Sequence, residues 1–551
     1  MSKESNLGIP TILKEDGNKV KKFLLLALSI VIIAGLTFIS CAKEKAPVPA
    51  APAAPAKPAA PAPAASTPIS GGTLRVISGF GIPTNIGDPR QPGTFPAWND
   101  WREGLGIWDK EGKGIYTPWL AESWDLDANA KTMTFHIRKG VKFHDGTTLT
   151  AAAVKWNLEQ QSVNLPDIQD VKSMDVIDDY TLKLTFNKYS ALNLITITFA
   201  VPIFSPTAVE SSPKDYSLTH AAATGPFKVV EVKAGSYLKM ERFNDYWGDK
   251  PYLDKIEIIA VTDPTVATLT MVKGDADLWY FLPLKEAVDL MGKGLKTNEY
   301  LGGLSWLSWD SANPESVYAN KKVREAIECA LDRPAMAKTV GLGHWLPLTQ
   351  LAGPETVAYV PGLDPRPFNP GKARQLLTEA GYPNGFKTTL IIQNSSENIM
   401  IASLIQSYLK DVKIDAEINQ VDSAAYYGML APGGTGWKNA MLLAGAGHNP
   451  GVGFVRLDLG NYFSTRPNSW QPVLAHSAAW AALYEQVATC PSFEFAADLG
   501  KIMVQQIADE AMIVPLWETA AIAVYQPWVH TSQFLAKAPA WNPELDWIEK
   551  H

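Results

Sequence analysis

The chain has 551 residues, 46% of them hydrophobic and 19% charged, and a formal net charge of −7. That length exceeds what one hydrophobic core serves and predicts two or more domains of ordinary globular composition. The acidic balance argues against nucleic acid as a partner, because phosphate binding needs a basic footprint. Three cysteines, Cys41, Cys329 and Cys490, are too few for a disulfide framework.

Charge is unevenly placed at the start of the chain. Lys3, Lys14, Lys19, Lys21 and Lys22 outweigh Glu4, Glu15 and Asp16, so the first forty residues stand at +2 and the remainder at −9. Lys19, Lys21 and Lys22 precede an apolar run from Phe23 to Ser40, the basic-then-apolar layout of an export signal. The run ends in Phe38-Ile39-Ser40-Cys41, which resembles a bacterial lipobox with Phe38 in the place of the usual leucine. Residues 1–41 are therefore expected to be a signal peptide whose Cys41 is lipidated; an uncleaved signal anchor is the alternative. Residues 42–70 are Ala/Pro-rich, cannot build a core, and favour an extended polyproline II spacer of about 3.1 Å per residue. Signal, acylatable cysteine and spacer together predict a folded part outside the cytoplasm, anchored to the outer face of the cell membrane or in the periplasm.

From residue 71 the pattern becomes globular. Gly71-Gly72 leads into a strand at Thr73–Ile77, and Thr181–Phe186 and Ile256–Ile259 read as further strands. Helical periodicity appears at Ala151–Gln160, Val323–Leu331, Lys372–Ala380, Met400–Leu409 and around residues 493–508. Gly381, with Pro383 beyond it, is a helix-stop signal. His144-Asp145-Gly146 carries turn chemistry, with Gly146 free to take positive φ. Strands alternate with helices, which predicts an α/β fold.

From Pro118 the chain reads PWLAESWDLDANAKTMTFHIRKGVKFHDGTTLTAAAVKWNLE. This is similar to the signature stretch of the solute-binding protein family 5, the peptide- and nickel-type binding proteins of ABC importers. The likeness continues in order through Thr224-Gly225-Pro226-Phe227, Arg242–Gly248, Gly274–Asp277, Val323–Ala326 with Asp332-Arg333, Ala373–Gly385 and Ile513–Leu516. The resemblance implies a two-lobed periplasmic-binding-protein-like fold of the large type, with a hinge between lobes and an extra subdomain. On that template lobe I takes residues 71–300 and 511–551, the subdomain lies at about 96–220, and lobe II spans 301–510. Tyr246-Trp247-Gly248 is expected to pack a lobe, and Arg324 to make local hydrogen bonds on its helix.

Function would then come from lobes closing on a solute. The implied partners are a small-molecule or peptide ligand, ABC permease subunits and the membrane through a lipid anchor, with the receptor a monomer. Leu301–Asp310 occupies the first crossover, making Trp306 and Trp309 aromatic candidates; their spacing of three puts them on opposite strand faces. Tyr426, Tyr427 and Trp517 are weaker candidates, and Gly79-Phe80-Gly81 with Asp88-Pro89 matches the loop at the cleft edge, bringing in Phe80. Peptide binders of this family pair the peptide's α-amino group with an aspartate in a segment like G-W-x-x-D-x-x-x-P. The matching stretch here runs from Met441 to Pro450; aligned on Pro450 it places Leu443 at the usual tryptophan, with Ala444 next to it, Ala446 at the aspartate position and His448 beyond. A buried ammonium needs a paired charge, and this alignment supplies none. Blocked peptides, opines, oligosaccharides and metal chelates thereby gain ground over free peptides.

No G-x-S-x-G elbow, phosphate-binding Gly-rich loop, H-E-x-x-H pair or C-x-x-C is present, and the eight histidines are scattered. The chain is read as a non-enzyme without cofactor or resident metal. A sensor reporting to a membrane receptor and a cell-envelope enzyme are the alternative classes.

Overall fold

A computed structural model describes residues 67–79, 82–90, 102–108, 116–161, 168, 170–213, 219–431, 436–449, 451–465, 470–532 and 541–549. Cys41, nearly all of the Ala/Pro spacer and Phe80 lie outside the described residues. Residues 67–551 form one folded unit.

The chain enters on β1 (Thr73–Ser78). A separate part follows, with the short pair β2 (Gly106–Trp108) and β3 (Tyr116–Pro118), then β4 (Ala121–Asp127), β5 (Thr132–Ile137), β6 (Val171–Asp178) and β7 (Thr181–Phe186). The last four make an antiparallel sheet of order β4-β5-β7-β6. Strict alternation in β7 buries Leu182, Leu184 and Phe186, the period-2 signature of a half-buried strand. These side chains share one buried cluster with Met133, Phe135 and the helix Ala151–Gln161. The turn at His144-Asp145-Gly146 forms as its residues predict: Asp145 Oδ1 accepts from Thr147 N at 3.0 Å and Gly146 sits at φ +87°.

The main sheet resumes with β8 (Phe227–Lys233), β9 (Tyr237–Arg242), β10 (Lys255–Ala260) and β11 (Leu278–Tyr280). β12 (Lys296–Trp309), β13 (Leu346–Pro347), β14 (Phe386–Gln393), β15 (Ile414–Val421), β16 (Ala440–Gly447) and β17 (Val514–Tyr525) complete it. Its order is β15-β14-β16-β12-β17-β11-β1-β10-β9-β8, with β13 pairing β17 off this path. β12 and β17 are 14 and 12 residues long, and they alone among the described strands join the two halves of the sheet. The C-terminal part of β12 pairs with β16, whereas the C-terminal end of β17 pairs with β11. Each long strand therefore belongs to both half-sheets.

Helices start and stop where their ends can be satisfied. Asp263, Asn369, Ser395 and Ser492 each accept from a backbone N–H of the first turn of the helix that follows. The helix Pro370–Glu379 ends into Gly381 at φ +93°, as its glycine predicts.

Two side chains tie distant segments together. Glu103 is buried, and its carboxylate accepts from Trp119 Nε1 at 2.7 Å, Tyr246 OH at 2.8 Å and Trp247 Nε1 at 3.0 Å. Burial pushes this carboxyl up to about 7 while the donors hold it back. Tyr246-Trp247 thus packs the fold, as its sequence suggests, through an acid that the motif does not contain. Arg324 differs from expectation: besides the local carbonyls of Tyr318 and Ala319, it donates to Glu510 O at 2.8 Å and Ala511 O at 2.9 Å. The reason is reach, since the guanidinium fork spans from its own helix to the turn that feeds β17. Arg324→Met is expected to lower unfolding free energy by about 3 kcal/mol, because four carbonyls lose a charged donor. Urea unfolding followed by circular dichroism measures this; a loss under about 0.5 kcal/mol would mean that the contacts are incidental.

Candidate functional site

The site is built where β16, β12 and β17 run side by side. Leu304 of β12 stands opposite Ala446 of β16 on one side and Glu518 of β17 on the other. Directly opposed residues point to the same face, so Ala446, Leu304 and Glu518 form a row across the sheet. Trp306, opposite Ala444 in the β12–β16 ladder, lies on that face too. Ser305, Gly445 and Trp517 occupy the other face. Glycines keep the seam thin. A Cβ on Gly303 would overlap Thr519 Oγ1, and one on Gly302 would overlap the Tyr300 ring. The β12–β17 register slips between Leu301 and Gly303 and again between Ser305 and Trp306, bending the strand where it changes half-sheet.

His448 extends the row. Its N–H donates to Gly302 O at 2.8 Å, which continues the ladder past the end of β16. Its ring is buried, tilted on Phe454 at 5.9 Å, and reaches over β12 to place Nε2 3.9 Å from Glu518 Oε1. Burial pulls this imidazole down to about 4, so it is neutral at ordinary pH. Asn449 anchors the next turn by donating N–H and Nδ2 to buried Asp458 at 3.0 and 2.9 Å. Burial holds Asp458 well above the usual carboxylate range, with the two Asn449 bonds opposing.

Glu518 is 3% exposed, and no described residue donates a hydrogen bond to it. Gly353 backs directly onto the carboxylate, because any Cβ there would overlap Oε1. Burial, with the negative charge of Glu355 second, pushes Glu518 up to about 7.

The aromatic candidates divide. Trp306 packs on Tyr462 at 5.5 Å and on Phe463 at 6.0 Å. Trp309 is stacked on Tyr318 at 6.1 Å within the core of the β14 side, away from the row just described. Trp517 stacks on Trp345 at 5.3 Å. All three tryptophans are buried and their indole N–H groups have no partner. Tyr426 is on the helix Ser423–Leu430, and its OH donates to Leu443 O at 2.9 Å. Tyr427 packs edge-on against it and is half exposed. Leu443 and Ala444 are buried, and Ala446 is partly so. The structure thus gathers Trp306, Ala444, Ala446 and His448 on one face and leaves Trp309 elsewhere. Sequence reasoning named Trp517 but missed its neighbour Glu518, a single acid in the apolar run Ile513–Tyr525. Among the described residues no group of three His, Cys, Asp or Glu side chains could hold a metal ion.

Residues 116–445 match the model of the bacterial extracellular solute-binding proteins, family 5. The chain belongs to this family. The glutathione-binding protein GsiB of Shigella boydii is 33% identical over 315 residues, 55% of this chain and 61% of that protein. The chain therefore spans about three fifths of the length of the curated relatives it matches. Among solved structures, the periplasmic binding protein DppA from Helicobacter pylori, in complex with the peptide STSA, has a TM-score of 0.72 at 23% identity. The match covers 88% of this chain and 99% of that one. NikA from Brucella suis, in complex with Fe(III)-EDTA, has a TM-score of 0.74 at 22% identity, covering 87% and 100%. These likenesses establish the two-lobed fold of family 5.

The raised carboxyl at Glu518 has a thermodynamic consequence. Between its ordinary value of 4.5 and about 7 it binds more protons folded than unfolded. Its contribution to stability is therefore full below the lower value and is lost as pH rises through the upper one. Glu518→Gln removes that loss. The variant is expected to gain on the unmodified protein as pH climbs through this window, by on the order of 3 kcal/mol. Parallel urea-unfolding series across the window test this, and a constant difference between the two proteins would show that Glu518 titrates normally.

Proposed function

We propose that this family 5 protein is an extracytoplasmic lipoprotein that captures a peptide-like solute between two lobes and hands it to an ABC importer. Lobe I would comprise residues 71–300 and 511–551, including the subdomain at about 96–220, and lobe II residues 301–510. The observation that carries the reading is the pairing of β12 with β17, the strands that alone link the half-sheets among the described residues. Two parts joined through so few strands move by small backbone changes at the crossings, and a solute that contacts both sides favours the closed form. Family membership and the ligands of its relatives, a glutathione binder and a peptide complex among them, support the solute class.

The neutral His448, the unpartnered indole of Trp306 and the carboxylate of Glu518 present donors and a charge on one face, which suits a small polar molecule. A micromolar dissociation constant needs about −8 kcal/mol, within reach of several such contacts with aromatic packing. The role asks for no catalytic group, cofactor or resident metal.

Native mass spectrometry of gently purified residues 67–551, followed by denaturation, is expected to release one discrete peptide-like species. Tryptophan fluorescence should change when that species is added back, since indoles flank the site. Release of nothing, together with flat fluorescence across di- to pentapeptides and glutathione, would sink the solute class. For the anchor, palmitate labelling in a bacterial host is expected to mark the full chain. Cys41→Ala should abolish the label and leave an uncleaved, heavier protein; persistent labelling would move the anchor elsewhere.

A further inference from the structure

Deeply buried carboxylates in this protein come with partners. Asp88 holds Arg90, and Asp277 accepts from Arg75 N and Trp528 Nε1. Asp310 takes Asn439 N, while Glu328 faces Arg333 and Arg366. Glu103 and Asp458 are bonded as described, and Asp546 accepts from Thr531, Ser532 and Trp541. Glu544 also has an interaction partner. Glu518 departs from this rule, for among the described residues no donor reaches it. Its one ion-pair neighbour among the described residues, His448 Nε2, stands at 3.9 Å, beyond hydrogen-bond length.

We infer that Glu518 is the anchor for a cationic group on the bound solute, an ammonium held against its carboxylate beside His448. The inference rests on the solute-binding reading above and specifies which solutes the site takes. A buried carboxylate without a donor is unfavourable in the empty protein, and a ligand ammonium repairs that by supplying both charge and N–H donors. The surroundings fit. Glu355 adds a second negative charge to the neighbourhood, and among the described residues no lysine or arginine acts on Glu518. Gly353 gives the carboxylate room that any side chain there would remove.

A protonated Glu518 kept as an ordinary core residue is the bland alternative. A neutral carboxyl, however, carries an O–H that needs an acceptor, and His448 Nε2 at 3.9 Å is too far to serve as one. His448 is open as well, because its Nδ1 is buried without a partner, as is Trp306 Nε1 on the same face. One carboxylate on a sheet face that also carries unsatisfied ring nitrogens matches a solute with an ammonium and carbonyl or carboxylate oxygens close by. The expectation drawn from Ala446 is thereby revised. The charge missing from β16 is supplied by β17, two strands over with Leu304 between, so the ammonium sits about 10 Å from the position that Ala446 occupies.

The test offers residues 67–551 an equimolar pool of tri- and tetrapeptides with free N-termini and the same pool N-acetylated. Retained species are read by native mass spectrometry, and the affinities of trialanine, glutathione and their N-acetyl forms by calorimetry. The expected result is at least a tenfold preference for free amines, lost in Glu518→Gln and partly kept in Glu518→Asp. The unfolding series described above verifies that the Gln variant is folded. Equal retention of both pools, or an unchanged preference in Glu518→Gln, would overturn the anchor while leaving solute capture intact. Retention of neither pool would overturn the peptide-like solute class and the anchor together.

Discussion

Everything in this fold hangs on the antiparallel pairing of β12 with β17. A sheet of this breadth is continuous only because these two long strands are shared by both halves. On the proposed function the same residues would hold the parts together, let them move and present the solute-facing groups. Backbone hydrogen bonds do the holding without side chains, which frees the side chains for the other two tasks. Glycine at 302, 303 and 445 and the two register slips show how the seam is kept thin and bent. Bulky β-branched residues would favour the strand and forfeit the close approach of Thr519 and Tyr300.

Much of the architecture was legible in the sequence, because it rests on local rules. Period-2 alternation at Thr181–Phe186, capped helices and the glycine stop at Gly381 each reflect a few neighbouring residues. What stayed illegible depends on partners far apart in the chain. Nothing within several residues of Glu103 announces Trp119, Tyr246 and Trp247 as its donors. Likewise, nothing near Arg324 announces the carbonyls of Glu510 and Ala511. Trp306 and Trp309 were rightly separated by strand periodicity, yet periodicity could not say which face meets Tyr462 and which the core against Tyr318.

The row Ala446–Leu304–Glu518 shows the same limit at the site. β16 carries an alanine where the family's peptide binders carry an acid, and nothing along that strand replaces the charge. Position across a sheet is set by register, and register joins segments more than two hundred residues apart in sequence here. A group can be lost from one strand and its charge supplied from another on the same face without any local signature.

Burial makes that displaced charge consequential. The carboxylates of Glu103 and Asp546 are raised by burial, and their hydrogen-bond donors hold them back. Glu328 is likewise opposed by Arg333 and Arg366. These shells are the ordinary solution to a buried acid, and they fix geometry by leaving no open valence. At Glu518 burial acts with no described donor to oppose it, and the negative charge of Glu355 pushes the same way. A site in that condition discriminates between solutes more sharply than a satisfied one, because a neutral ligand leaves the acid as unfavourable as it was. A cation removes the penalty and gains the contact in one step. With Glu518 as the proposed anchor, that imbalance is the part of the fold in which stability is given up for selectivity.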